Sequence, residues 1–180
     1  MARRDVFGGT KMRLVSFALL TALLAFGQPA LAEQAIVNGV VIDWFGNYTS
    51  VEKAVEDSDI STGKRYRGSN IVPPKTNSDE IKLNSKTTFG FGFTLTGSPP
   101  KADVTLRQVY KYPSPGMPIG TTGQFKPSDE VTSAFKFGGG STVGYNIGSN
   151  TSDWPTGTWT IQLWSGRKLL AEKNFTVSQP

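Results

Sequence analysis

The residue types that do most catalytic work are missing from this chain: its 180 residues include no histidine and no cysteine. That removes Ser-His-Asp and Cys-His nucleophile arrangements, imidazole acid–base chemistry and Cys/His zinc sites. Carboxylates, lysines, tyrosines and hydroxyls remain. Two carboxylates can flank a glycosidic bond, but Asp43, Glu52, Asp79, Glu80, Asp103, Asp129, Glu130, Asp153 and Glu172 stand mostly in polar stretches and read as solvated charges. Glu56-Asp57-Ser58-Asp59 is the densest acidic cluster. It lacks the spacing and the glycine of a calcium loop and reads as an acidic turn. No catalytic residue, no metal ligand and no cofactor is expected.

What is left is contact chemistry. Lys64-Arg65-Tyr66-Arg67 sets three cations around one aromatic ring, a group that can grip phosphate, sulfate or an acidic partner surface. The flanking Ser61, Gly63, Gly68 and Ser69 also fit a plain solvated loop. Tyr110, Tyr112, Tyr145, Trp154 and Trp164 are read as aromatics standing outside the core, where sugar rings stack, or else covering sheet edges or packing under the long loops. The contact candidates are Lys64, Arg65, Tyr66, Arg67, Tyr145, Trp154 and Trp164.

The stretch FGFGFTLTG (Phe89–Gly97) has the glycines of a phosphate loop but fails as one. The third glycine is misplaced for G-x-G-x-x-G, and Pro99-Pro100 prevents a following helix. As a strand it puts Phe89, Phe91, Phe93 and Leu95 on one face. Gly90 and Gly92 leave the other face bare, which points to a bulge or to close approach of another segment or a ligand.

The elements that must position these residues are strands. Twenty glycines and eleven prolines punctuate short alternating runs. Strands are expected at 35–48, 83–96, 103–112, 131–137, 142–147, 157–164 and 168–177. Val51–Asp57 is the one stretch with helical spacing, for one or two turns. Trp159, Ile161 and Leu163 share a face, Ser165-Gly166-Arg167 turns the chain, and Leu169, Ala171, Phe175 and Val177 line the return strand. Trp164 has the opposite parity. Ser61–Glu80, Pro113–Ser128 and Gly138–Ser152 resist regular structure. The expected fold is all-β, an immunoglobulin-like β-sandwich of about seven or eight antiparallel strands with at most one short helix.

The first 32 residues read as a cleaved signal peptide: Arg3, Arg4, Lys11 and Arg13, then the apolar run Leu14–Phe26, then Ala30-Leu31-Ala32. Cleavage after Ala32 leaves 33–180 as one domain. Met12 is a candidate start giving an ordinary export signal, and Arg3-Arg4 hints at twin-arginine export. The whole chain has 19 basic and 14 acidic residues; without the leader it has 15 and 13, a net of +2. Such a balance calls for no nucleic acid, and the apolar run is too short for a permanent anchor. A periplasmic or secreted location follows, without stable membrane insertion after cleavage. The Asn-x-Ser/Thr matches at Asn47, Asn150 and Asn174 read as chance.

Phe89–Gly97, Val104-Thr105-Leu106, Tyr112-Pro113, Gly157-x-Trp159 and Leu169-x-x-x-Lys173-x-Phe175-x-Val177, with Trp44-Phe45-Gly46-x-Tyr48 before them, resemble a bacterial exported family catalogued as domain of unknown function 3859. The closing strands are also similar to the last strands of many immunoglobulin-like sandwiches. The resemblance implies fold and compartment and assigns no activity. The expected function is a non-catalytic binding or interaction module for an envelope protein or glycan. Its alternatives are a carboxylate-based enzyme on envelope glycans or esters, and a glycan-binding module using exposed aromatics.

Overall fold

A computed structural model describes residues 34–84, 87–120, 122–147 and 154–180. The expected signal peptide lies outside the described residues. Among the described residues twelve strands follow in order: β1 Ile36–Asn47, β2 Thr49–Asp57, β3 Lys64–Val72, β4 Glu80–Lys82, β5 Thr88–Ser98 and β6 Asp103–Lys111. Then come β7 Met117–Pro118, β8 Phe125–Lys126, β9 Ser128–Lys136, β10 Gly140–Asn146, β11 Gly157–Ser165 and β12 Lys168–Ser178.

Eight of these build a two-sheet sandwich. One sheet has the order β1-β5-β10 and the other β4-β12-β11-β6-β9. Every pair in them is antiparallel except β4, which runs parallel to β12. The four remaining strands form two separate ribbons, β2-β3 and β7-β8.

The alternation in Phe89–Gly97 sets the register. Phe89, Phe91, Phe93 and Leu95 are all fully buried. At roughly 1.5–3 kcal/mol for each buried large side chain, a one-residue slip of β5 would forfeit the whole stripe. The facing sheet answers with Leu106, Trp159, Ile161, Leu163 and Phe175, all at most 1% exposed. Phe89 meets Trp159 edge-on at 5.5 Å and Phe175 at 5.3 Å.

The bare face of Gly90 and Gly92 is occupied by the protein itself. A Cβ on Gly90 would lie 2.1 Å from the Val143 carbonyl oxygen, and one on Gly92 would lie 2.1 Å from the Trp44 indole nitrogen. These glycines let the β10 backbone and the Trp44 ring sit against β5. Tyr48 covers the neighbouring Gly144 and meets Trp44 edge-on at 5.3 Å.

Two expectations are corrected. Val51–Asp57 is strand, not helix: it lies in β2 and pairs with β3, Asp57 opposite Lys64 and Glu56 opposite Arg65. Cross-strand charge complementarity overrides the local spacing. For the same reason Ser61–Glu80 is not loop throughout, since Lys64–Val72 is β3.

Candidate functional site

The sandwich has two open sides, where the end strands of one sheet face those of the other. On one side β10 stands over β6 and β9, with Tyr145 of β10 edge-on to Tyr110 of β6 at 5.6 Å. The β2-β3 hairpin crosses this side. Between hairpin and sheet edges lies a cavity of about 620 Å³, within the range that takes small ligands. Lys64–Gly68 from β3 line it above, Val131–Phe135 from β9 on one flank and Thr142–Asn146 from β10 on the other.

The hairpin is pinned through Asp129. Its carboxylate is fully buried. One oxygen accepts the Ser61 N–H at 2.9 Å and the Tyr112 hydroxyl at 2.6 Å, and the other lies 2.8 Å from Lys126 Nζ. Burial pushes its pKa up. The hydrogen bonds from Lys126, Tyr112 and Ser61 outweigh burial and hold it below the usual carboxylate range. Lys126 also donates to the Asp59 carbonyl at 3.1 Å, so the turn between β2 and β3 is tied to this point through both Asp59 and Ser61.

Phenols line the floor. Tyr110 donates to Gln108 Oε1 at 2.7 Å. Gln108 Nε2 donates to the Ser133 hydroxyl, which also accepts from Arg65 at 2.6 Å. Arg65 reaches the Thr132 carbonyl at 3.4 Å as well. Tyr112 and Tyr145 hold their hydroxyl oxygens 3.2 Å apart. Burial raises the pKa of Tyr145 to about 12 and pushes Tyr48 and Tyr110 up too. All three stay neutral hydrogen-bonding groups across physiological pH.

The structure gathers Lys64, Arg65, Tyr66, Arg67 and Tyr145 around one cavity. Tyr66 is 42% exposed, whereas Tyr110, Tyr112 and Tyr145 are 6%, 8% and 6% exposed. The reading of those three tyrosines as standing outside the core is corrected, because they pack as an interlocked edge-to-face block around Trp159. Trp154 is half-buried in the same block, stacked on Trp159 at 6.1 Å, and is not on the cavity wall. Trp164 is elsewhere. It lies on the outer face of the five-stranded sheet, its Nε1 donating to Gln162 Oε1 at 3.0 Å and Arg107 over its ring at 5.2 Å.

Gln108 and Ser133 are not among the expected contact residues, and the reading of Asp129 as a solvated charge is corrected, because its carboxylate is fully buried among Lys126, Tyr112 and Ser61. Their signal is parity: Gln108 falls in phase with Leu106 and Tyr110, and Asp129 and Ser133 fall in phase with Val131 and Phe135 on an edge strand. Polar side chains at inward positions mark a hydrated or ligand-filled gap in a sandwich. Asp129 is the only carboxylate among the described residues that line the cavity. Among the described residues no three acids gather into a cation site.

No family model matches the chain, so the resemblance to the exported family of unknown function gains no support. No curated protein matches it either. A crystal structure of an immunoglobulin-like protein from Pseudomonas aeruginosa is similar, with a TM-score of 0.52 and 20% identity, covering 81% of this chain and 97% of that one. The likeness is one of fold: this chain is an all-β, immunoglobulin-like sandwich.

Proposed function

We propose that the protein is an exported, non-catalytic binding module that holds an envelope component, a protein or a glycan, in the cavity beneath the β2-β3 hairpin. One observation carries the reading. The hairpin and the end strands β9 and β10 bound about 620 Å³ lined by Lys64, Arg65, Arg67 and several phenols. A concave site of this size that brings cations and phenols together is a candidate ligand site.

The immunoglobulin-like fold supports the reading, since such sandwiches carry recognition on their loops and edges. The leader-like sequence Leu14–Ala32 supports export. The enzymatic alternative finds less support. Glycoside hydrolysis uses two carboxylates, and the one on the described cavity wall is already held by Lys126, Tyr112 and Ser61.

The test is site-specific photo-crosslinking in cells. A photoreactive residue replaces Tyr66 at the cavity or, as control, exposed Val41 on the edge strand β1. The reading expects a discrete adduct from position 66 that disappears when Ser133→Trp fills the cavity, and none from position 41. Equal adducts from both, or none from 66, would contradict it. The purified protein should also begin at Glu33.

A further inference from the structure

We propose that the occupant of the cavity is an uncharged oligosaccharide, one sugar ring of which packs on Tyr66. The inference rests on the binding reading above and narrows its ligand to a neutral glycan.

Charge decides first. Lys64 is paired with Asp57, Arg67 with Glu56 at 3.0 Å, and Lys126 with Asp129 at 2.8 Å. Arg65 donates to the Thr132 carbonyl and the Ser133 hydroxyl and has Glu56 opposite it in the hairpin. These cations are engaged before any ligand arrives. A charged guest would have to break one of the pairs or sit beneath the hairpin without a counter-charge, and either is costly. A neutral guest does neither.

Hydroxyls come second. Ser50, Thr88 and Thr142 line the cavity from β2, β5 and β10. No hydrogen bond to a described residue engages their hydroxyls. Each can donate one hydrogen bond and accept two. The hydroxyls of a sugar have the same double character and match them group for group. A peptide matches less well, because its backbone needs an open strand edge. On β10 Tyr110 hydrogen-bonds the Gly144 backbone, and Asn146 near its end is engaged as well.

An aromatic face comes third. Tyr48 packs on Trp44, Tyr110 on Tyr145 and Phe135 on Phe93. Tyr66 lines the same cavity, is 42% exposed, and has no ring packed against it among the described residues. One face of a pyranose is a patch of C–H groups with hydroxyls around its rim. Laid on a phenol ring, that face leaves water while the rim hydroxyls reach the polar walls.

The experiment is calorimetric titration of the processed protein with maltotriose, cellotriose, mannotriose and tri-N-acetylchitotriose, against anionic trigalacturonate and cationic triglucosamine. At least one neutral trisaccharide is expected to bind about tenfold or more tighter than either charged one. Its affinity should stay the same between about 0.05 and 0.5 M sodium chloride, since no net charge is paired. Tyr66→Ala, with its fold checked by far-UV circular dichroism, should weaken binding about tenfold, and Tyr66→Phe should keep it. Undiminished binding by Tyr66→Ala would overturn the stacking contact. Tightest binding of trigalacturonate or triglucosamine, falling with salt, would overturn the neutral ligand while the binding reading stands. No binding of any of the six sugars, with crosslinks from position 66 intact, would also overturn this inference and spare that reading; loss of those crosslinks would remove both.

Discussion

The two open sides of the sandwich are closed by opposite means. Where β1 faces β12 and β4, a single lysine closes the gap. Lys173 lies 3.7 Å from the centre of the Phe45 ring and 2.6 Å from the Asp79 carboxylate. The segment before β4 tightens this seam, with the Phe45 N–H donating to Asn77 Oδ1 at 3.0 Å. Where β10 faces β9, a whole hairpin spans the gap and leaves a cavity under it. The first side satisfies a cation with a ring and an acid; the second holds the Arg65 guanidinium on a carbonyl and a hydroxyl, with Glu56 opposite it in the hairpin. The second closure leaves a lined cavity beneath it, and that is where binding is sought.

The largest break in that contrast is Asp129→Ala. Removing one partner of a buried, hydrogen-bonded charge cluster costs about 3–5 kcal/mol, and the loss should appear in urea unfolding. The acid-side pH profile reports the same group. The native pKa of Asp129 is lowered, so its contribution is present above the unfolded value of about 4 and is lost as pH falls through the native one. Asp129→Asn should flatten the stability curve below pH ~4. An unchanged acid limb would mean that the hairpin is not held by this carboxylate.

Gly92→Ala comes next. Its Cβ would collide with the Trp44 indole, and overpacking of this kind costs about 1–3 kcal/mol. Trp44 touches Tyr48, which lines the cavity. The variant should therefore change the environment of the cavity as well as the stability, seen as shifted Tyr48 ring resonances. A stability loss with Tyr48 unmoved would separate the two sides.

Lys173→Met should cost about 1 kcal/mol, a modest figure because the Asp79 side chain is 53% exposed and its attraction is screened. Arg65→Gln should change stability by less than ~0.5 kcal/mol. A larger loss for Arg65 than for Lys173 in denaturant titrations would reverse the contrast and make Arg65 a structural cation.

The sandwich was legible because two-residue alternation is a local signal. The stripe Phe89–Leu95 and the hairpin Trp159–Val177 declare their faces within a few residues. The β2-β3 ribbon was not legible for the opposite reason. Among the described side chains of Val51–Asp57 none is buried, Val51 and Val55 being 59% and 52% exposed, and the strand character depends on a basic partner several residues away. The site was half visible. Lys64–Arg67 announced itself as charge, but its meaning depends on which cations find acids, and only the pairing of β2 with β3 decides that. Tyr145 and Trp154 were visible as aromatics, yet their burial follows from the block they form around Trp159. Gln108, Asp129 and Ser133 needed strand parity and knowledge of which strands end their sheets.

The central claim, that binding belongs to the hairpin side, is tested most directly by mapping backbone amide shifts of the processed protein as a solubilised envelope fraction is added. The account expects the shifts to fall on Gly140–Asn146 of β10, on Lys64–Gly68 and on Ser133, with Phe45, Asp79 and Lys173 unmoved. Shifts centred on β1 and Lys173, or on the outer face around Trp164 and Arg107, would contradict it.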